Sequence, residues 1–259
     1  MSDMHWTSAI TKISANEIRL RGYRIDELMG AVTFSTAVYL ALKGELPSDE
    51  MSRLLDAIMV ASIDHGTSPP STLAARTAAS TGASLNAAVA TGLLSINRFH
   101  GGAIEACMQM LTTGMMHLDA QSANLKTIAE EIVISMTDAG ERIPGMGHRI
   151  HSNDPRTAKL FALAQDAGLD GDAVRLLAQI QKHLAERGKS LPINVDGAIA
   201  AILVDLEFPP ELGNAFFFMS RVPGLVAHVF EEQDRERPMR RIHPTDHGYD
   251  GPEDRSLDK

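Results

Sequence analysis

The sequence predicts a helical protein, and three observations carry that prediction. Aromatic residues make up only 5% of the 259 residues. Alanine, leucine, isoleucine and methionine are abundant, a mixture that favours closely packed helices over sheets. Apolar residues also recur at helical spacing, as in 33–43 and 48–64. We therefore expect helices that approach one another through small side chains.

The overall composition limits the possible functions and compartments. Hydrophobic residues are 44% and charged residues 22%, which is typical of a soluble globular protein with a sizeable core. The net charge of -9 argues against nucleic acid or an acidic membrane as a partner. Cys107 is the single cysteine, so no internal disulfide forms. Without a signal-type run or roughly 20 uninterrupted apolar residues, we expect a cytoplasmic protein.

Spacing and stop signals divide the chain into an extended entry, a series of helices and a charged tail. The entry covers residues 1–20, and we expect the end of the tail, 248–259, to be loosely held or to wrap a partner subunit. The predicted helical segments are 33–43, 48–64, 71–94, 103–111, 115–136, 156–167, 172–187, 198–204 and 212–230.

A glycine-rich loop surrounds His148. Gly145 and Gly147 allow backbone conformations that other residues resist, so His148 should lie on a loop. Asp154, followed by proline, predicts the start of a helix, and Arg156 then lies at its positive end. An imidazole near a guanidinium at a helix N-terminus suits a substrate carboxylate. The alternative is a surface loop followed by a capped helix.

Four further polar residues stand at the ends or inside predicted apolar helices. His65 follows Asp64 at a helix end, where it could serve only to satisfy carbonyl groups. His100 precedes two glycines and a helix whose first amides could hold an oxyanion, or it is incidental to a glycine turn. Asp196 heads an apolar helix, either as N-cap or as a base. Arg221 inside an apolar helix needs an anionic partner, from the protein or from a ligand.

Taken in order, these motifs resemble the citrate synthase superfamily over most of the chain, from about Ile25 to Pro238. The chain is shorter than ordinary citrate synthases, mainly at the N-terminus. In that shortness and in three segments it looks closer to the citryl-CoA lyase module of ATP-citrate lyase; these segments are 64–66, 93–99 and 193–197. The motifs that carry the resemblance are Asp64-His65-Gly66, His100-Gly101-Gly102-Ala103, Gly145-Met146-Gly147-His148, Asp154-Pro155-Arg156, Asn194-Val195-Asp196 and Ser220-Arg221.

The resemblance implies an all-α fold with two domains and an active-site cleft between them. The large domain would comprise residues 1–103 and 206–259, and the small domain residues 104–205. It also implies a homodimer in which each site receives a residue from the neighbouring subunit. The substrates implied are acyl-CoA with oxaloacetate, or citryl-CoA, with no separate cofactor and no metal.

The same resemblance implies roles for individual residues. Asp196 resembles the base that takes a proton from the acyl-CoA methyl group, His100 the residue that hydrogen-bonds the enol oxygen, and His148 the residue that polarises the ketone of oxaloacetate. Lys189 lies where a contact to the coenzyme A phosphates is expected. The residues that resemble substrate-carboxylate ligands are His65, Arg156, Arg221 and, from the neighbouring subunit, Arg237.

The chain also departs from the family pattern. The interval between His148 and Arg156 looks one residue shorter than in common citrate synthases, and the ATP-citrate lyase module has no histidine that directly matches His100. We expect cleavage of citryl-CoA, with citrate synthase or 2-methylcitrate synthase as the alternative. A non-catalytic sensor of CoA esters or carboxylates and a histidine-rich metal hydrolase are further alternatives. A sensor has no need of a base such as Asp196.

Overall fold

The structure is a computed structural model that describes residues 6–121, 124–147 and 154–240. It is 63% helix with few strands, which confirms the all-α class. Within the described ranges, none of the helices has both the length and the apolar character needed to cross a membrane. The elements are β1 Thr11–Ser14, β2 Glu17–Leu20, β3 Tyr23–Arg24, α1 Ile25–Leu28, α2 Phe34–Lys43, α3 Asp49–Ala61, α4 Pro70–Ser80, α5 Leu85–Leu94, α6 Ala103–Gln121, α7 Leu125–Asp138, α8 Pro155–Asp166, α9 Asp172–Glu186, α10 Val195–Asp205, a 3-10 helix Pro210–Leu212 and α11 Gly213–Arg235.

The predicted extended entry is part of a small antiparallel sheet. Its three strands lie in the order β1-β2-β3, with Thr11 opposite Leu20 and Leu20 also opposite Tyr23. Asn16 turns the first hairpin with φ 59°, a left-handed conformation that asparagine tolerates better than most residues. The sequence indicated extended chain here but not its pairing.

Two predicted helical segments have different boundaries in the structure. The segment 71–94 is two helices, because Gly82 with φ 92° closes a turn between α4 and α5. The segment 115–136 belongs to α6 and α7, and α7 begins where the Asn124 side chain accepts a hydrogen bond from the Thr127 amide at 3.0 Å. Alanine and small polar residues continue through both breaks, so apolar periodicity did not reveal them.

The chain divides into two compact units, Met1–His65 with Ile96–Gly224, and Gly66–Ser95 with Leu225–Lys259. The predicted large and small domains follow different boundaries and stay a prediction. In the first unit, α10 lies against α6, α8 and α9. Its side chains from Ala198 to Leu203 are buried all round, as expected of a helix without a polar face.

The second unit has a smaller core built from α4, α5 and the second half of α11. Gly92 of α5 shows why small residues are needed here. A Cβ atom on Gly92 would lie 2.8 Å from the Ser71 carbonyl oxygen and 3.0 Å from Ala75 Cβ. This confirms the expectation that close helix contact repays the cost of glycine in a helix. The buried core residues are Ala75, Ala79, Ala88, Val89, Leu225 and Val229.

Candidate active site

Asp196 lies in the first turn of α10, but it does not cap that helix. The cap is Asn194, whose side-chain oxygen accepts a hydrogen bond from the Gly197 amide at 3.0 Å. The capping alternative for Asp196 is therefore wrong. Its carboxyl group lies at the positive end of the helix, which favours a negative charge.

The segment that leads to His148 is bound to the start of α10. The Gly147 amide donates to the Pro192 carbonyl at 2.7 Å, and the Asn194 amide donates to the Gly145 carbonyl at 3.0 Å. The Asn194 side chain also donates to the Gly147 carbonyl at 2.9 Å. These bonds fix the loop beside the turn that carries Asp196. His148 itself lies outside the described residues, so its predicted role stays a prediction.

A contact between two glycines makes this arrangement possible. A Cβ atom on Gly197 would lie 2.5 Å from the Gly145 carbonyl oxygen, and one on Gly145 would lie 2.7 Å from Gly197 Cα. Gly145 also has φ 81°, which disfavours other residues. A Cβ on Gly145 would in addition lie 2.8 Å from the sulfur of buried Cys107, a neighbour that sequence reasoning missed. The loop and α10 can therefore approach only with glycine at both positions.

The surroundings of Asp196 favour its protonated form. Burial raises the pKa of Asp196 above its ordinary value, Arg156 and Arg221 act against that rise, and Asp154 adds to it. Asp196 also adds to the burial that raises the pKa of the Cys107 thiol. A carboxyl group whose pKa is moved toward neutrality by apolar surroundings can both give and take a proton.

Arg221 is buried, with 2% of its surface exposed. Its Nε donates to the Ser62 carbonyl at 3.0 Å, and its guanidinium lies over the Phe217 ring at 4.8 Å. Nη1 is buried and has no hydrogen-bond partner among the described residues. Burial lowers the pKa of Arg221, while Asp64 and Asp196 oppose that shift. A buried donor without a partner costs free energy, and a ligand carboxylate would satisfy it.

Arg156 is oriented by a carboxylate that sequence reasoning treated only as a helix cap. Asp154 is 1% exposed and caps α8, as predicted, by accepting from the Arg156 amide at 3.0 Å. The same carboxylate accepts from Arg156 Nε at 3.0 Å and from Nη2 at 2.8 Å. Nη1 donates to the Ala61 carbonyl at 3.3 Å. These contacts engage three of the five guanidinium donors and leave capacity for an anion.

His100 lies at the end of a tight turn in front of α6. Its amide and carbonyl both bond Asn97, each at 2.8 Å, and Gly101 continues the turn with φ 82°. The half-buried imidazole meets the Phe217 ring edge to face, with the ring centres 6.0 Å apart. Burial lowers the pKa of His100, and the charges of Arg221 and His65 lower it further. Both effects favour the neutral imidazole.

His65 lies in an exposed segment that packs against α11. A Cβ atom on Gly224 would lie 2.3 Å from the Ile63 carbonyl oxygen, so glycine is required where the segment and helix meet. Five predicted residues of the first unit lie close enough together for charged members of the set to shift the pKa values of others. They are His65, His100, Arg156, Asp196 and Arg221.

Two other predicted residues lie on the surface. Lys189 is exposed and lines a cleft of about 520 Å³ together with Arg142, Met146 and Gly147. Arg237 is exposed and belongs to the second compact unit. Across the described part of the chain, no group of three or more histidine, cysteine, aspartate or glutamate side chains is arranged to hold a metal ion.

Comparison with known proteins agrees with this geometry. A family model described as the C-terminal domain of citrate synthase matches residues 47–244. The citrate synthase of Haloferax volcanii is 32% identical over 205 residues, which cover 77% of this chain and 51% of that protein. The chain thus spans about half the length of this relative. It belongs to the citrate synthase family.

Two solved structures extend the comparison. The citryl-CoA lyase from Hydrogenobacter thermophilus is 40% identical, with a TM-score of 0.89 and 97% of both chains covered. The ATP citrate lyase from Methanothrix soehngenii, in complex with citrate and coenzyme A, has a TM-score of 0.84 and 22% identity over 97% of this chain and 42% of that one. The second likeness supports the fold alone. The resemblance inferred from the motifs is confirmed.

Proposed function

We propose that this protein is a citryl-CoA lyase, which cleaves citryl-CoA to acetyl-CoA and oxaloacetate. The observation that carries the proposal is the 40% identity to a citryl-CoA lyase over 97% of both chains. The match to a citrate synthase is weaker and covers only 51% of that protein. The arrangement around Asp196 supplies the chemistry that such a cleavage needs.

In this proposal, arginine and histidine side chains of the first unit bind the substrate. The buried Nη1 of Arg221 and the unused donors of Arg156 would bind carboxylates of the citryl group, with His65 as a third ligand. Arginine suits this role because its planar fork matches a carboxylate. We propose that Arg237 of the neighbouring subunit completes the set, and that Lys189 and the cleft beside it receive the coenzyme A phosphates.

Cleavage then proceeds as a retro-aldol reaction. His148 accepts the proton of the citryl hydroxyl group, the carbon–carbon bond breaks, and its electron pair forms the enolate of the thioester while the hydroxyl carbon becomes the ketone of oxaloacetate. Neutral His100 donates a hydrogen bond to the enolate oxygen. Asp196 gives its proton to the enolate carbon, which becomes the methyl group of acetyl-CoA. The raised pKa of Asp196 supports this step, because the reaction begins with the protonated acid.

The same groups would serve the alternative function, citrate or 2-methylcitrate synthase, in the opposite direction. The identity to the Haloferax volcanii citrate synthase favours this alternative. The two activities differ in whether the citryl thioester is hydrolysed. A sensor of CoA esters or carboxylates is the remaining alternative, and it gives Asp196 no chemical use.

A homodimer belongs to this proposal. The second unit exposes large apolar side chains on α4, α5 and α11, which would lie against water in a monomer. Large exposed apolar side chains are candidates for a protein interface. We expect the assembled enzyme to act in the cytoplasm. The exposed residues are Leu73 (45%), Leu85 (43%), Leu94 (80%) and Phe230 (65%).

Product analysis with two substrate mixtures tests the proposal. With (3S)-citryl-CoA, a lyase yields acetyl-CoA and oxaloacetate without free citrate. With acetyl-CoA and oxaloacetate, a synthase yields free coenzyme A and citrate, and that result would overturn the proposal in favour of the alternative. A folded protein that binds these compounds and converts neither mixture would point to the sensor.

A further inference from the structure

An ion cluster centred on a buried carboxylate lies in the second unit, and the proposed reaction gives it no direct role. Glu232 of α11 has only 1% of its side chain exposed. Its carboxylate accepts from Arg76 Nε of α4 at 2.6 Å and from Arg240 Nη2 at 2.7 Å, and Arg240 Nε is a third donor. We call Arg76, Glu232 and Arg240 the carboxylate clamp. It ties the chain that follows α11 to both α11 and α4.

The chain between the two ends of the clamp forms a tight turn. The Arg240 amide donates to the Arg237 carbonyl at 3.2 Å, with Pro238 and Met239 between them. Met239 has φ 57°, which is unusual for methionine but is required at the third position of a type II turn. The Met239 amide also donates to the Ser80 carbonyl of α4 at 2.8 Å. The surrounding contacts therefore hold a turn whose backbone conformation costs free energy.

The turn presents Arg237 to solvent. Arg237 is the first residue of the turn and is exposed, whereas Glu232 below it is buried. A buried carboxylate that accepts hydrogen bonds from two guanidiniums is a rigid anchor, because charged hydrogen bonds are stronger than neutral ones. An exposed arginine on a backbone fixed in this way loses less conformational entropy on binding an anion than an arginine on a mobile backbone.

We propose that the clamp of Arg76, Glu232 and Arg240 is a positioning device that fixes the turn carrying Arg237 for binding of a substrate carboxylate in the neighbouring subunit. Glu232 is a positioning residue, since it acts on the substrate only through Arg237. The inference rests on the proposed function, which assigns Arg237 its ligand. The inference adds that the affinity of one subunit's active site for a substrate carboxylate depends on Glu232, which is buried in the neighbouring subunit.

A double-mutant cycle tests the positioning role. Glu232→Gln should raise the KM for citryl-CoA about tenfold with little change in kcat. This rise in KM should disappear in the R237A background, which would show that the two residues are coupled. The double variant should thus have the KM of R237A alone. A purely structural role of Glu232 would instead add the same penalty in both backgrounds, and that result would overturn the proposal. Glu231→Gln, one residue away and paired with Arg235, is the matched control and should leave KM unchanged.

A second variant keeps the test decisive if Glu232→Gln does not fold. Arg240→Met releases the turn but leaves Glu232 paired with Arg76, so the buried carboxylate keeps a counterion. It should show the same rise in KM, again abolished by R237A. An unchanged KM in folded dimers of R240M would contradict the clamp. An unchanged KM in R237A itself would instead contradict the role of Arg237 in the proposed function, so the two failures are distinguishable.

Discussion

Arginine side chains have different surroundings in the two compact units. In the first unit, Arg221 is 2% exposed, yet its Nη1 lacks a partner among the described residues. In the second unit, Arg76 and Arg240 both bind the carboxylate of Glu232. An unsatisfied buried donor costs free energy. Its presence therefore indicates that Arg221 has a role other than stabilising the fold. The first arrangement fits a ligand site and the second a structural anchor.

The largest expected effect concerns the acid beside Arg221. Asp196→Asn removes the proton donor while keeping the shape of the side chain, so the rate of citryl-CoA cleavage should fall on the order of 10³-fold. The measurement is kcat from the release of oxaloacetate. Asp172→Asn, a surface change in α9, should retain full activity. Near-normal cleavage by D196N would remove Asp196 from the proposed chemistry.

A smaller effect is expected at the unsatisfied guanidinium itself. Arg221→Lys keeps the charge but loses the planar fork, so the KM for citryl-CoA should rise roughly 10²-fold, as expected for loss of a charged hydrogen bond. Steady-state kinetics and isothermal titration with oxaloacetate measure this. Arg175→Lys, in an exposed pair with Asp172, is the control. If R221K bound oxaloacetate as tightly as the wild type, the contrast between Arg221 and the arginines that pair with Glu232 would have no functional meaning.

The smallest of these effects concerns Asp154, which orients Arg156. Asp154→Asn should lower kcat/KM about tenfold by loosening that guanidinium. It should also change the pH profile. In the proposed mechanism cleavage needs protonated Asp196, so the rate should fall as the pH rises through its pKa. Asp154 raises that pKa, and its neutralisation should therefore shift the alkaline limb to lower pH.

The control for this change is Asp166→Asn, an exposed aspartate at the other end of the same helix. It should leave the position of the alkaline limb unchanged. An alkaline limb that stayed in place or moved to higher pH in D154N would show that Asp154 does not act on Asp196 as described.

Local signals predicted much of the fold, and the motif order selected several residues that the structure places near one another. The Asp154-Pro155 helix start and the apolar character of α10 are properties of neighbouring residues, and the structure confirms both. Contacts between distant segments were not predictable in this way. Nothing in the local sequence reveals that Gly145 and Gly197 meet, or that the ring of Phe217 contacts both His100 and Arg221.

The carboxylate clamp illustrates the same limit. Glu232 lies in a charged segment that reads as a solvated tail, and only the return of Arg240 to α4 and α11 makes it buried. Charge density in a sequence does not distinguish exposed ions from paired and buried ones. Tertiary structure decides that difference, because burial depends on which segment covers the charge.

Cleavage of (3S)-citryl-CoA in D2O distinguishes the proposed lyase from a synthase. We expect oxaloacetate and, at early times, acetyl-CoA with one deuterium in its methyl group, delivered by Asp196 to the enolate carbon. The D196N variant should form this product far more slowly. Citrate and free coenzyme A as the products, without deuterated acetyl-CoA, would show that the protein is not a citryl-CoA lyase.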